Sequence, residues 1–120
     1  MQTTVRAITF DCADPHAQAA FWSEVVGRPV DARVNDYVAA IGMWPRHLDG
    51  PTFLFCAVPE AKVAKNRVHL DLETADRHAE VARLVALGAK HVADHDEYGV
   101  SWSVLTDPEG NEFCLADPHA

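Results

Sequence analysis

A chain of 120 residues, 48% hydrophobic and 23% charged, has the size and composition of one globular domain with its own core. The formal net charge of −8 argues against nucleic acid and against an anionic membrane surface as partners, because both repel the average field of the molecule. Apolar runs stay far short of the ~20 residues of a membrane span, the first residues lack a signal-peptide layout, and Cys12, Cys56 and Cys114 are too scattered for a disulfide framework or a zinc ribbon. The expected setting is the cytoplasm, with reduced thiols.

The first segment, Val5 to Asp14, alternates: Ile8, Phe10 and Cys12 fall on one face and Ala7, Thr9 and Asp11 on the other, the period of a half-buried strand. Asp14-Pro15 reads as an N-cap followed by proline at the first helical position. The helix from Pro15 to Val26 is expected to bury Ala17, Phe21 and Val25, with Ala20 and Trp22 flanking, and Gly27 stops it. Strands are expected at Val30–Val34, Tyr37–Ile41 and Phe53–Val58. A loop from Met43 to Pro51, carrying Trp44, Arg46 and His47, separates the last two.

The pattern then restarts. Arg67 to Glu73 alternates, with Val68, Leu70 and Leu72 opposite His69, Asp71 and Glu73. Asp76 is the next N-cap, and the helix from Arg77 to Leu87 is expected to bury Val81, Leu84 and Val85 before Gly88 ends it. Strands follow at Lys90–Ala93, Ser101–Thr106 and Glu112–Ala116, the last two joined by the turn Asp107-Pro108-Glu109-Gly110-Asn111, where proline fixes φ and glycine permits a positive one. Counting back from the two N-caps pairs Ala7 with His69, Thr9 with Asp71 and Asp11 with Glu73. N-cap to cap glycine spans 13 residues in one copy and 12 in the other. Strand, cap, helix and cap glycine recurring in one order indicate a duplication. The reading is a single α+β domain over residues 1–120, built from module one at about 4–59 and module two at about 66–118.

With each helix covering the apolar face of its sheet, the polar face carries Thr9 and Asp11 in one half and His69, Asp71 and Glu73 in the other. Two such curved sheets side by side enclose a cleft, and a cleft with a histidine and carboxylates among apolar walls is where a site is expected.

The stretches ITFDCADPHAQAAFW…VVG, VPEAKVAKNRVHLDL, LVALGAK and VLTDPEGNEFCL resemble the glyoxalase-like branch of the glyoxalase/bleomycin-resistance/dioxygenase (vicinal oxygen chelate) superfamily, over nearly the whole chain. The resemblance implies paired βαβββ modules, a U-shaped cleft and assembly as a homodimer. It also implies a divalent metal, held by histidines and a carboxylate, in some members and metal-free drug binding in others. Carried over residue by residue, the metal positions fall on Ala7, which has no donor, on His69, which has one, on Cys114, and on Leu54. The expectation is therefore no metal cofactor; if a divalent ion is bound, its ligands are His69 with Cys114 or Glu112.

Each candidate has a functional and a plain reading. His69 is a ligand-holding group, a general base or a metal ligand, or else a histidine bonded to Asp71 or Glu112. Cys114 is a nucleophile if its thiolate forms, or a small buried residue. Glu112 and Asp71 act as acid or base, or pair with neighbours such as Arg67 or a linker lysine. Lys62, Lys65 and Arg67 grip an anionic ligand or neutralise an acidic surface. Trp22 belongs to the core, whereas Trp44 and Trp102 are open between ligand wall and packing. The catalytic candidates are thus His69, Glu112 and Asp71, and the ligand-binding candidates are Thr9, Asp11, Trp44, Cys56, Arg67, Trp102 and Cys114.

Two functions follow from these residues. One is a protein that binds a small organic molecule in the cleft without the usual metal triad. The other is a lyase- or isomerase-type enzyme acting on a small carbonyl compound, with His69 and Glu112 or Asp71 as acid and base.

Overall fold

The computed structural model describes residues 2–46 and 50–118. Two compact units meet in sequence between Ala61 and Lys62, and each is built as strand, helix, then further strands.

In the N-terminal unit, β1 (Ala7–Cys12) leads into α1 (Pro15–Val26), followed by β2 (Val38–Ile41) and β3 (Thr52–Ala57). The sheet order is β1-β3-β2, with β1 and β3 parallel and β2 and β3 antiparallel. The helix begins as its sequence dictates: the Asp14 carboxylate accepts from the Ala17 amide at 3.1 Å, and Gly27 closes the helix at φ 67°. Its buried stripe is not the expected one. Pro15, Gln18, Ala19 and Trp22 are buried together with Phe21, while Ala17 is exposed, so the face is turned toward the larger indole. Trp22 packs 5.2 Å from Phe10 and 5.9 Å from Phe53 (ring centroids), and Phe10 stacks on Phe55 at 5.2 Å. A ring brings more apolar area than an alanine, and that decides which stripe faces the sheet.

The expected strand at Val30–Val34 does not form. Pro29 removes a backbone donor beside it, and Asp31 commits its carboxylate to the next loop, accepting from the amides of Gly42 (3.1 Å), Met43 (2.8 Å) and Trp44 (2.8 Å). One backbone contact, Asp31 N–H to the Ala40 carbonyl at 2.8 Å, marks where the strand would have paired.

In the C-terminal unit, β4 (Leu70–Glu73), α2 (Arg77–Ala86), β5 (Lys90–Glu97), β6 (Val100–Thr106) and β7 (Glu112–Ala116) form the full repeat. The sheet order is β4-β7-β6-β5, parallel between β4 and β7 and antiparallel elsewhere. β4 starts later than Arg67: Val68 is 78% exposed and lies outside the strand. Helix α2 is capped by Asp76, which accepts from the Ala79 amide at 3.1 Å. Leu84 is fully buried against a sheet face of Leu105, Phe113 and Leu115, whereas Val85, expected inside, is 44% exposed.

The turn 107–111 is held from within. The Asp107 carboxylate accepts from the amides of Glu109 (2.9 Å) and Asn111 (3.0 Å) and from Asn111 Nδ2 (3.0 Å), and Gly110 takes φ 89°. Its role is structural, setting the register of β7.

Candidate functional site

The site is the face of the four-stranded sheet opposite α2. Along β7, Phe113 and Leu115 point to the helix, while Glu112, Cys114 and Ala116 point the other way. Cross-strand partners follow the same parity: Asp71 lies opposite Cys114, Val104 opposite Cys114 and Trp102 opposite Ala116. These side chains, with Lys65, His69, Val92, Ala93, His95 and Val100, line a cavity of about 650 Å³.

One end is apolar and aromatic. Trp102 stacks on its cross-strand neighbour His95 with centroids 5.0 Å apart and planes 25° from parallel. The other end is polar. His69 Nε2 lies 3.2 Å from Asp71 Oδ1, and the donor atoms of His69, Asp71 and Cys114 all lie within 4.8 Å of one another. Burial pushes the Cys114 thiol up to about 11, helped by the Asp71 charge, by its hydrogen bond to Asp71, and by Glu112. The thiol is therefore held in its neutral form, which disfavours the thiolate a nucleophile needs.

Glu112 finds its partner in the linker. Its carboxylate takes Lys65 Nζ at 3.0 Å and the Asn66 amide at 3.2 Å, which together hold it below the ordinary glutamate value, the lysine contributing most. Asn66 returns the contact, its side-chain oxygen accepting from the Glu112 amide at 3.1 Å and its Nδ2 donating to Asn111 at 3.1 Å. This clasp fixes Lys65 on the cavity rim.

Of the sequence candidates, the C-terminal unit brings together His69, Asp71, Glu112, Cys114 and Trp102. Arg67 is exposed and does not line the cavity. Thr9, Asp11, Trp44 and Cys56 belong to the N-terminal unit and do not line it either. There Asp11 is the register partner of Cys56, and Trp44 is 42% exposed. His47 lies outside the described residues.

The sequence pattern missed His95. A β-bulge places Val92 as an extra residue between the pairs His91–Leu105 and Ala93–Val104, so Val92 and Ala93 both line the cavity and strict alternation breaks. Asp94 to Glu97 are all polar, so no apolar/polar alternation marks the outer half of this strand.

The two units also settle which positions correspond. Thr9 pairs with Leu54 as Asp71 pairs with Cys114. Where the second copy offers His69, Asp71 and Cys114, the first offers Ala7, Thr9 and Leu54. Two histidines and a carboxylate are therefore not supplied by these matched positions, and a metal centre of that composition does not fit them.

The model of the glyoxalase-like domain family matches residues 7–116. No curated protein matches the chain in sequence. Among solved structures, a glyoxalase/bleomycin resistance protein/dioxygenase family enzyme from Burkholderia phytofirmans PsJN is similar, with 18% identity, 96% of this chain and 98% of that one covered, and a TM-score of 0.76. A fosfomycin resistance protein from Listeria monocytogenes has 12% identity over 99% and 96% of the two chains, with a TM-score of 0.75. Lactoylglutathione lyase from Agrobacterium tumefaciens has 14% identity over 98% and 95%, with a TM-score of 0.66.

Proposed function

The chain belongs to the glyoxalase-like domain family, and from that footing we propose that its C-terminal cavity captures a small planar organic molecule without a histidine–histidine–carboxylate metal triad. The observation that carries this reading is the composition of the cavity: an aromatic shelf of Trp102 and His95 with Val92, Val100 and Val104 around it, and polar groups gathered at one end. About 650 Å³ is ample for a drug-sized ligand, and apolar walls with a few convergent polar groups are the usual make-up of such sites. The shelf would stack on the ligand while His69, Asp71 and Lys65 orient its polar end.

A second reading rests on one contact. His69 Nε2 at 3.2 Å from Asp71 is an imidazole oriented by a carboxylate, an arrangement suited to moving a proton next to the carbonyl of a small substrate in a lyase or isomerase step. The similar structures include a resistance protein and a lyase, so fold likeness alone does not choose between the readings.

A thermal-shift screen of aromatic metabolites, antibiotics and aldehydes tests the first reading. Trp102→Ala and His69→Ala should each weaken a hit's binding about tenfold with the fold kept. Binding unchanged in both variants would overturn it. Loss of a measured turnover by orders of magnitude in His69→Ala would favour the enzyme.

The reading includes a homodimer and a cytoplasmic setting. Cys12, Cys56 and Cys114 are thiols outside any disulfide, which supports a reducing compartment, and no helix among the described residues is long and apolar enough to cross a membrane. The exposed Val63 and Val68 support a contact between copies, which sedimentation at two concentrations would test.

A further inference from the structure

We infer that Tyr98, at the tip of the β5–β6 hairpin, is an aromatic flap that closes over the C-terminal cavity once a planar ligand lies on the Trp102–His95 shelf. The backbone supplies the first reason. Among the described residues, Tyr98 is the one residue other than glycine with a positive φ, 56°, and Gly99 after it has φ 75°. Two positive angles in a two-residue hairpin mark a type I′ turn, whose first place favours asparagine, aspartate or glycine and strains a bulky side chain. Packing does not account for the tyrosine, because it is 94% exposed. A strained residue that no contact supports in the free fold has its use in another state of the molecule.

The hairpin carries the tip to the mouth of the cavity. His95 and Trp102 are cross-strand partners, Glu97 and Val100 are the last pair before the turn, and His95, Val100 and Trp102 line the cavity. Trp102 lies two residues beyond Val100, about 7 Å along β6, a span that a tyrosine side chain at the turn can bridge. The opposite face of the sheet fixes the base of the hairpin. Ser103 donates to Asp94 at 2.6 Å and Ser101 to Asp96 at 3.1 Å, while the Arg77 guanidinium donates to Ser103 at 2.7 Å and to Asp117 at 3.1 Å. Among the described residues these side-chain bonds stop at the Asp96–Ser101 pair, so only the Glu97–Val100 pair and the turn lie beyond them. The shelf is held from behind, and the tip is left to swing. A closed flap adds a second aromatic face, which favours fused-ring ligands over aliphatic ones of equal volume. This inference rests on the proposed capture of a planar molecule and names a residue that retains it.

The test uses two fluorescent three-ring dyes, cationic proflavine and anionic resorufin, with stopped-flow dissociation from the full chain. At least one should bind, and Trp102→Ala should weaken it. Tyr98→Asn should speed its dissociation about three- to tenfold, while Tyr98→Phe keeps the rate within about twofold. Tyr98→Asn should also raise the melting temperature of the free chain by about 2–5 °C, because asparagine accepts the backbone of this turn. Faster dissociation joined to higher stability is a pairing that a packing residue does not give. Dissociation unchanged in Tyr98→Asn, or a melting temperature that falls, would overturn the flap and leave the capture reading standing. Binding of neither dye, or binding indifferent to Trp102→Ala, would overturn capture and flap together.

Discussion

Asp71 and Cys114 sit opposite one another across the parallel β4–β7 pair, where burial first and the facing carboxylate second keep the thiol protonated. With the thiol at about 11, roughly a thousandth of Cys114 is thiolate at pH 8, against about a quarter for an ordinary cysteine. Alkylation of Cys114 should therefore be about two-hundredfold slower than that of an exposed thiol, and Asp71→Asn should speed it, as mass-spectrometric labelling at pH 8 would show. An Asp71→Asn variant that labels no faster would contradict the assigned cause.

The same thiol makes a prediction about alkaline stability. Its folded value is raised, so its contribution is fully present below the unfolded value near 8.5 and is lost as pH rises through about 11. Denaturant midpoints should fall across that window in the parent chain and fall less in Cys114→Ser, which carries no titrating thiol at this position.

The acid limb belongs in part to Glu112. Its value is lowered, chiefly by Lys65 and then by the Asn66 amide, so its contribution is present above the ordinary glutamate value of about 4.3 and disappears as pH drops through the lowered one. Glu112→Gln should flatten the loss of stability below about pH 4, measured by urea unfolding at stepped pH. An unchanged slope would show that the linker clasp contributes nothing.

Packing predictions separate the two units. Trp22→Ala empties the aromatic cluster of the first unit and should cost about 3–5 kcal/mol; Leu84→Ala leaves a cavity under β6 and β7 in the second and should cost about 2–5 kcal/mol. Hydrogen exchange should show lost protection concentrated in the unit carrying each change. Asp107→Ala strips the turn of its internal acceptor and should cost about 1–3 kcal/mol by leaving amide donors unpaired.

Much of this was legible in the chain because local signals and tertiary packing agree. Asp14-Pro15 and Gly27 bracket α1 at its observed ends, and β7 runs from Glu112 to Ala116 as its alternation requires. Strand parity puts His69 and Asp71 on one face, while Cys114, with Glu112 two residues before it on the same face, follows from the family resemblance. Failures occur where a non-local or irregular feature overrides period. Val30–Val34 has β-branched residues, yet Asp31 serves the Trp44 loop instead of a strand. The α1 face was misjudged because a 3.6-residue period fixes spacing but not which stripe turns inward. His95 escaped because a bulge cannot be seen in a two-residue rhythm.

That bulge has a further consequence for how such a protein can change. Val92 is a surplus residue between two regular pairings, so excising it would leave His91 opposite Leu105, Ala93 opposite Val104, and His95 still against Trp102. The wall of the hollow can thus lose a whole isopropyl group through one codon deletion, without shifting the rest of the strand. The size of the hollow is adjustable in a single genetic step, independently of His69, Asp71 and Lys65 at its polar end.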